Sequence, residues 1–237
     1  MASNDERILR TWQANVAPWT RAVRAGEIAS RVAVTNDALL AAIGARSPQH
    51  LLDLGCGEGW VCHALAQQGV RCVGVDAIPG LIDAARDGHP PHGANSEYAV
   101  HSYEQIAEGA LAPRYRGAFD MVVCNFALFG DALVPALLRA LPPLLAPDGC
   151  FVMQTLHPMM ASRDVPYVDG WREGSWAGFS SDFTDPAPWY FRTIGSWMAV
   201  LATSGFTISA LQEPLHPDTG LPASLLITAT PATPATR

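Results

Sequence analysis

The sequence predicts an α/β fold built on a parallel sheet. From residue 50 to residue 157, short apolar segments that fit strands alternate with amphipathic segments that fit helices. Two of those helical segments end at a glycine, as helices commonly do. The segment AFDMVVCNF is almost continuously apolar, as expected for a strand covered on both faces. Strands that alternate with helices imply parallel pairing with right-handed crossovers.

Length and composition fit a single globular domain. The chain has 237 residues, of which 49% are hydrophobic and 16% are charged, so it can bury a sizeable core and is not disordered throughout. Its net charge is -7, all 15 basic residues are arginines and no basic run is present, which argues against nucleic acid as a partner. No apolar run approaches about 20 residues, so we expect no transmembrane helix and no membrane partner.

The five cysteines indicate a reducing compartment. Their number is odd, and no two of them have CxxC spacing. We therefore expect neither a disulfide framework nor a zinc site. The first ten residues contain no apolar stretch typical of a signal peptide, so we expect a cytoplasmic protein. The cysteines are Cys56, Cys62, Cys72, Cys124 and Cys150.

Residues 1–47 are expected to form an N-terminal helical cap. Apolar residues recur every three or four positions from residue 8 to residue 23, which is the spacing of one helix face. A second such stripe runs from Ile28 to Ile43. Pro18 is expected to kink or divide the first helix.

The remaining elements follow from the same patterns, within what we expect to be a single domain over residues 1–237. We expect strands over residues 50–55, 71–76, 97–101, 118–126, 148–157, 205–214 and 223–230. We expect helices over residues 58–69, 79–88, 131–147 and 190–204, the third of them broken by prolines. Residues 229–237 are expected to form a frayed tail of low complexity.

Residues 158–188 interrupt the alternation. They are rich in Pro, Gly, Asp, Ser and aromatic residues and show no clear period. An irregular stretch of about 30 residues inside a compact domain is usually functional, so we expect a lid inserted after the fifth strand. Eight aromatic residues lie between Tyr167 and Phe191. They could form a surface for a planar or cationic substrate, or a small core for the lid itself.

The most informative motif is LLDLGCGEGW, residues 51–60. A buried strand leads into Asp53, Gly55, Gly57 and Gly59, and a helix follows. Glycines at this spacing permit a tight turn and let a ligand approach the backbone closely. Asp76, at the end of the next strand, is placed to accept hydrogen bonds from both hydroxyls of a ribose. The pattern therefore predicts a ligand that contains a nucleoside.

Two kinds of ligand suit such a loop: a dinucleotide and S-adenosylmethionine. The dinucleotide fingerprint needs glycine or alanine at position 60, where this chain has Trp60. A pyrophosphate also favours a helix N-terminus free of other anions, whereas Asp53 and Glu58 bring carboxylates to the loop. Those carboxylates suit the ammonium and the sulfonium of S-adenosylmethionine. A nicotinamide-dependent oxidoreductase, and a protein that binds S-adenosylmethionine without catalysis, stay open as alternatives.

Three segments together resemble the motifs of class I S-adenosylmethionine-dependent methyltransferases. They are DLGCGEG, the acid in GVDAI, and FDMVVCNFAL followed by LLAPDG. The resemblance is strong over residues 49–156, and a WxxNxxxW motif near the N-terminus is similar to one in a group of bacterial small-molecule methyltransferases. The resemblance implies a Rossmann-like seven-stranded sheet of order 3-2-1-4-5-7-6, with strand 7 antiparallel.

The resemblance also implies roles for the matching residues. In the family, the first acid and the glycine loop hold the methionine part of the cofactor, and the second acid binds the ribose. Family members often carry an acid after the third strand to bind the adenine, whereas this chain has His101 and Ser102 there. The implied cofactor-binding residues are Asp53, Gly55, Cys56, Gly57, Asp76, Ala77, Ile78, His101, Ser102, Asn125 and Phe126.

Further candidates come from side-chain chemistry. The guanidinium of Arg31 could pair with the carboxylate of the cofactor, although a solvated arginine is an equal alternative. Trp12 and Trp19 could close over the ligands or simply pack as a helix face. The candidate substrate-binding residues are Trp12, Trp19, Trp171, Trp176, Trp189 and His216.

Methyl transfer from a sulfonium is an in-line displacement, which depends mainly on alignment and on exclusion of water. A base is needed only if the acceptor must lose a proton. His157, at the end of the fifth strand, is the first candidate base, and Tyr190 could position the acceptor. Metal-ligand spacing is absent from the sequence, so no metal is expected. We expect methyl transfer to a nitrogen or oxygen of a small, planar or aromatic metabolite.

Overall fold

The computed structural model describes residues 2–88 and 95–233, which form nine strands. They are β1 (His50–Leu54), β2 (Arg71–Asp76), β3 (Ser96–Val100), β4 (Phe119–Asn125), β5 (Leu145–Thr155), β6 (Gly170–Arg172), β7 (Trp189–Phe191), β8 (Phe206–Gln212) and β9 (Leu225–Pro231). Seven of them form one sheet in the order β3-β2-β1-β4-β5-β9-β8, and β6 and β7 form a separate hairpin. The first five strands of the large sheet pair in parallel, and β9 runs antiparallel between β5 and β8. The predicted fold and strand order are confirmed.

Helices flank this sheet and cover one end of it. They are α1 (Asn4–Ala14), α2 (Val16–Arg24), α3 (Asn36–Gly44), α4 (Trp60–Ala66), α5 (Pro79–Asp87), α6 (Tyr103–Ala107), α7 (Ala112–Tyr115), α8 (Leu133–Ala140), α9 (Pro158–Ala161) and α10 (Ile194–Thr203). A π-helical turn over Arg31–Thr35 leads into α3, and a 3₁₀ turn over Pro142–Leu144 follows α8. Among the described residues, no helix is both long enough and apolar enough to cross a bilayer.

Two apolar clusters cover the two faces of the sheet. Alternate residues of a strand point to opposite faces, so Leu52 packs in one cluster and Leu51 in the other. The first cluster is completed by α8 and α10, and the second by α3 and α4. Every side chain from Met121 to Cys124 is fully buried, as the continuous apolar pattern of β4 predicts. All five cysteines are buried free thiols.

The break between the first two helices lies at Asn15, not at Pro18. Pro18 is the third residue of α2. In the first turn of a helix a backbone N–H has no intrahelical partner, so proline costs little there. The predicted kink at Pro18 was therefore wrong: the proline lies in the first turn of a helix and does not bend one.

Other boundaries also differ from the sequence-based expectation: the helix expected over residues 131–147 ends at Ala140, and β5 begins at Leu145. The lid segment carries local structure, since α9 opens it and β6 pairs with β7, where Trp171 faces Tyr190 across the hairpin. Residues 190 and 191 are therefore strand, and the helix begins only at Ile194. The expected fraying from residue 229 was also wrong, because β9 continues to Pro231, paired with Phe206. Residues 234–237 lie outside the described residues.

Candidate functional site

The glycine loop forms the floor of the site at the carboxyl end of β1. Gly55, Gly57 and Gly59 have φ values of 69°, 58° and 86°, in the left-handed region that favours glycine. The N–H groups of Gly55 and Cys56 both donate to the carbonyl of Val75, at 2.8 and 3.0 Å. The loop is thereby bonded to the neighbouring strand β2.

Close contacts around position 55 also require a glycine there. A Cβ at this position would lie 2.5 Å from the Cβ of Ala127 and 2.7 Å from the Tyr103 hydroxyl. Real Cβ atoms essentially never come so close to another atom. Any side chain would therefore fill the space between the loop and the end of β4 and push the two apart.

Asp76 ends β2 and points toward the same loop. Its carboxylate accepts hydrogen bonds from the N–H of Gly57 at 3.0 Å and from the N–H of Ile78 at 2.9 Å. A carboxylate has about four acceptor sites, so capacity remains toward the cleft. Burial raises the pKa of Asp76, and the backbone donors oppose that rise. This is the arrangement expected of a ribose-binding acid.

Two adjoining clefts open around the loop. The β2-side cleft is lined by residues that include Asp76, Ala77, Ile78, Leu81 and Tyr103. The lid-side cleft is lined by residues that include Arg31, Cys56, Glu58, Trp60, Trp176, Phe179 and Trp189. Seven residues line both, which makes the two clefts one continuous space: Trp12, Trp19, Gly55, Gly57, Asn125, Phe126 and Phe129.

Aromatic rings from the cap, from the segment after β4 and from the lid surround the junction of the clefts. Trp12 lies edge-on to Trp19 at 5.0 Å and to Trp176 at 5.9 Å, and it stacks on Phe129 at 6.0 Å. Trp19 stacks on Phe179 at 6.5 Å. Flat apolar walls of this kind favour a planar ligand or a cationic one.

Arg31 is buried against the lid-side cleft, with 7% of its surface exposed. Its guanidinium lies over the rings of Trp60 and Trp19, at 4.8 and 5.7 Å from their centres. The Nε donates to Asn36, but the buried Nη2 has no hydrogen-bond partner. Burial lowers the pKa of Arg31 to about 10, so the side chain is still a cation at neutral pH. An unsatisfied guanidinium N–H of this kind suits a carboxylate.

Two further acids belong to the region of the loop, Asp53 and Glu58. Burial, reinforced by the charge of Asp76, raises the pKa of Asp53 to about 7. Burial also raises the pKa of Glu58, while Arg31 and Arg24 oppose that rise. One oxygen of Glu58 is buried without a partner. A bound cation near these acids would relieve the cost of their ionisation.

These features fit S-adenosylmethionine. Its ribose would meet Asp76, its adenine would meet Ala77 and Ile78, and its carboxylate would meet the free Nη2 of Arg31. Its ammonium and sulfonium would lie in the field of the acids. The side-chain oxygen of Asn125, at the end of β4, is buried without a partner and offers one further acceptor. Among the described residues, no group of three or more His, Cys, Asp or Glu side chains is arranged to hold a metal ion.

The structure brings most of the predicted cofactor residues together. Apart from Trp176 and Trp189, eleven of the predicted cofactor- and substrate-binding residues line one cleft or both: Trp12, Trp19, Arg31, Gly55, Cys56, Gly57, Asp76, Ala77, Ile78, Asn125 and Phe126. Trp176 and Trp189 line the lid-side cleft. Asp53 lies beneath the loop, bonded to the Cys62 thiol.

His101 and Ser102 lie beside this region, where they make hydrogen bonds to the backbone of neighbouring elements. The N–H of His101 donates to the carbonyl of Asp76 at 3.0 Å. The Ser102 hydroxyl caps α6, with Gln105 completing the capping box. The next residue, Tyr103, lines the cleft instead. A side-chain contact from His101 or Ser102 to the cofactor stays a prediction.

Four other predicted residues do not line either cleft. His157 is 2% exposed, and its Nε2 lies 2.7 Å from a carboxylate oxygen of Glu213. His216 lies in the connection between β8 and β9, where its Nδ1 accepts from the N–H of Asp218. The exposed Trp171 packs against Tyr190, and Tyr190 lines a separate small cavity. The catalytic and substrate roles suggested for these four residues stay predictions.

The sequence analysis missed several residues of the site. Tyr103 and Phe129 line the clefts although neither lies in a matched motif, and Ala127 lines the β2-side cleft from within the matched segment FDMVVCNFAL. Trp60 and Phe179 complete the lid-side wall. The one available signal was position, because Ala127 lies inside that segment and Phe129 directly follows it.

Comparisons with known proteins agree on one family. The family described as "Methyltransferase domain" matches residues 27–210. A ubiquinone biosynthesis O-methyltransferase from Xanthomonas campestris pv. campestris is 33% identical over 146 residues, which cover 62% of this chain and 54% of that protein. One from Xylella fastidiosa is 30% identical over 116 residues, 49% of this chain and 45% of that protein. The chain thus spans about half the length of the curated relatives it matches.

Solved structures share the fold at lower identity. The 1,6-didemethyltoxoflavin-N1-methyltransferase of Burkholderia thailandensis, with bound 1,6-didemethyltoxoflavin and S-adenosylhomocysteine, matches with a TM-score of 0.68 and 20% identity. The match covers 98% of this chain and 92% of that one. An S-adenosylmethionine-dependent methyltransferase of Mesorhizobium loti matches with a TM-score of 0.58 and 23% identity, over 80% of this chain and 95% of that one.

Proposed function

Because the chain belongs to the methyltransferase-domain family, we propose that it transfers a methyl group from S-adenosylmethionine to a nitrogen or oxygen of a small, planar or aromatic metabolite. The family resemblance seen in the sequence is confirmed. The observation that carries the proposal is the continuity of the two clefts across the glycine loop. One end offers the ribose-binding geometry of Asp76, and the other is walled by aromatic rings.

The chain has two tasks in this reaction: to hold the donor in one orientation and to present the acceptor in line with it. When bound, S-adenosylmethionine supplies an electrophilic methyl group, and the acceptor lone pair forms the new bond while the carbon–sulfur bond breaks and leaves its electron pair on sulfur. Asp76 and Arg31 lie on opposite sides of the glycine loop and would fix the two ends of the donor. Trp12, Trp19 and Phe129 surround the junction and would exclude water from the reacting atoms.

The walls of the lid-side cleft support a planar acceptor. Trp176, Phe179 and Trp189 present ring faces, and the nearby acids favour the positive charge that an amine or ring nitrogen acquires on methylation. No histidine is found among the described residues that line either cleft. In our proposal any acceptor proton passes to water or to one of the acids at the loop. One relative is named a ubiquinone biosynthesis O-methyltransferase and one protein of the same fold a 1,6-didemethyltoxoflavin-N1-methyltransferase, which is consistent with either acceptor atom.

A panel assay tests the proposal. Purified protein is incubated with methyl-labelled S-adenosylmethionine and a set of planar N-heterocycles and phenols, and the products are separated and weighed by mass spectrometry. We expect S-adenosylhomocysteine together with one methylated product, and less of both with Asp76→Ala when S-adenosylmethionine is below saturation. If S-adenosylhomocysteine binds but nothing in the panel or in a cell metabolite extract is methylated, a binding protein without turnover is the better description.

The proposed location is the cytoplasm. Five buried thiols and no disulfide among the described cysteines support a reducing compartment. A small-molecule acceptor rather than nucleic acid is supported by the net charge of -7.

A further inference from the structure

Asn15 lies at the break between α1 and α2 and is fully buried. It is the central residue of the WxxNxxxW motif, with Trp12 and Trp19 on either side. Both tryptophans line both clefts, so the proposed function gives them a role. Asn15 lines neither cleft, so the proposed function gives it no role.

The side-chain amide of Asn15 binds the backbone of a single lid residue through both of its polar atoms. The Nδ2 donates to the carbonyl of Thr184 at 2.8 Å, and the Oδ1 accepts from the N–H of Thr184 at 2.9 Å. The Nδ2 also donates to the carbonyl of Thr11 at 2.7 Å. Three hydrogen bonds therefore converge on one buried amide, which connects α1 to the lid.

The hydrogen bonds from the Asn15 side chain to Thr184 take the place of the helix-capping bond that asparagine often makes at this position. An asparagine before a helix commonly accepts a hydrogen bond from a backbone N–H of the first turn. Asn15 directly precedes α2, yet its side chain makes no such bond. A residue that gives up a local stabilising contact for a distant one is typical of a functional constraint.

The carbonyl of Thr184 links Asn15 to the wall of the site. It accepts a second hydrogen bond, from the indole Nε1 of Trp176 at 2.9 Å. Trp176 lines the lid-side cleft and lies edge-on to Trp12. The ion pairs Arg7–Glu173 and Arg21–Asp182 also join the cap to the lid, but they lie in solvent, where such pairs contribute little.

We propose that Asn15 is a positioning residue that fixes the lid backbone at Thr184 and thereby orients the Trp176 indole as a wall of the acceptor site. The inference rests on the proposed function and deepens it, because it names the residue that shapes the acceptor side of the cleft. Asn15 contacts neither donor nor acceptor and acts through Trp176.

Fluorine NMR of protein labelled with 5-fluorotryptophan tests this directly. The Trp176 resonance is assigned with Trp176→Phe. The test variant is Asn15→Asp, which keeps the size of the side chain but turns a carboxylate oxygen toward the carbonyls of Thr11 and Thr184. We expect the Trp176 resonance to shift or broaden, while that of Trp197, in the core, stays unchanged.

Amide exchange gives a second readout at Thr184. In Asn15→Asp this amide should exchange about tenfold faster, because repulsion between the new carboxylate oxygen and the carbonyl of Thr184 moves the lid backbone away from residue 15 and so breaks the bond from the Thr184 N–H. Thr184→Ala is the matched control, since the bonds to Asn15 use only the backbone of Thr184, and it should behave as wild type. Unchanged Trp176 and Thr184 signals in Asn15→Asp, or equal changes in Thr184→Ala, would overturn the inference.

The unmodified protein provides a test that needs no variant to fold. Its Thr184 amide should exchange at least about tenfold more slowly than the amides of Ser181 and Asp185, two exposed residues of segment 180–185 whose N–H groups make no such bond within the described part of the chain. Equal exchange at these three amides would also overturn the inference.

The experiments distinguish failure of the proposed function from failure of the inference about Asn15. If S-adenosylhomocysteine does not bind the wild type but the Trp176 and Thr184 signals respond to Asn15→Asp, the proposed function fails and the positioning of the lid stands. If S-adenosylhomocysteine binds but those signals do not respond, only the inference about Asn15 fails.

Discussion

The carboxylate of Asp76 accepts a hydrogen bond from the backbone N–H of Gly57, at 3.0 Å. The acid that ends β2 and the glycine loop that follows β1 are therefore one bonded unit. Parallel pairing of β1 with β2 places both at the same edge of the sheet. Any ligand that bonds to Asp76 also lies against the loop, which explains why the two motifs occur together.

Replacing Asp76 with alanine should weaken cofactor binding by about 1–3 kcal/mol, because the ribose hydroxyls and the Gly57 N–H would lose a buried partner. Isothermal titration with S-adenosylhomocysteine measures the effect. Asp83→Ala is the matched control, since Asp83 makes only an exposed ion pair with Arg86. Equal affinity in Asp76→Ala and wild type would remove Asp76 from the site.

Arg31→Gln should weaken binding of S-adenosylhomocysteine by about 1.5–3 kcal/mol, the usual contribution of a hydrogen bond to a charged group. Methylthioadenosine, which lacks the amino-acid end, should bind the variant and the wild type equally. The comparison of the two ligands by calorimetry isolates the carboxylate contact from any general effect on the cleft. A similar loss for both ligands would contradict the assignment.

Two glycine variants separate steric from conformational effects in the loop. Gly55 and Gly69 both have positive φ, but a Cβ on Gly69 meets nothing within 4 Å. Gly69→Ala should therefore cost only about 1–2 kcal/mol of backbone strain. Gly55→Ala should cost more stability and also reduce cofactor affinity, because its Cβ meets Ala127 and Tyr103. Urea unfolding and calorimetry measure both, and equal behaviour of the two variants would show that the close approach is unimportant.

Asp53 should make the stability of the cofactor-free protein depend on pH. Its pKa is about 7 in the folded protein, against 3.8 for the free side chain. Between those values the folded state binds more protons than the unfolded state, so the contribution of Asp53 to the free energy of unfolding falls as pH rises from about 4 to 7. Asp53→Asn should flatten this part of the profile. Urea midpoints at pH 5 and pH 7.5 compare the variants, and parallel profiles would show that Asp53 does not titrate in that range.

The strands and the glycine loop could be predicted because their signals are local. A buried strand, a glycine turn and an acid at the next strand end are all read from consecutive residues, and they placed Gly55 and Asp76 correctly in one cleft. The strand order came from the family resemblance, since periodicity alone does not specify which strands become neighbours.

The missed features depend on contacts between distant segments. Asn15 is bonded to Thr184, 169 residues away, and nothing local indicates that pairing. His157 was expected in the cleft because it follows β5, but its ring instead faces Glu213, which follows β8. Tyr103 enters the cleft through the turn that begins α6, a helix too short to show a periodic pattern.

Calorimetric titration of the wild-type protein with S-adenosylhomocysteine and, separately, with NAD⁺ tests the central claim most directly. Our account predicts one S-adenosylhomocysteine bound per chain and no heat from NAD⁺, because the carboxylates of Asp53, Glu58 and Asp76 would repel a pyrophosphate beside the loop. Binding of NAD⁺ without binding of S-adenosylhomocysteine would contradict it.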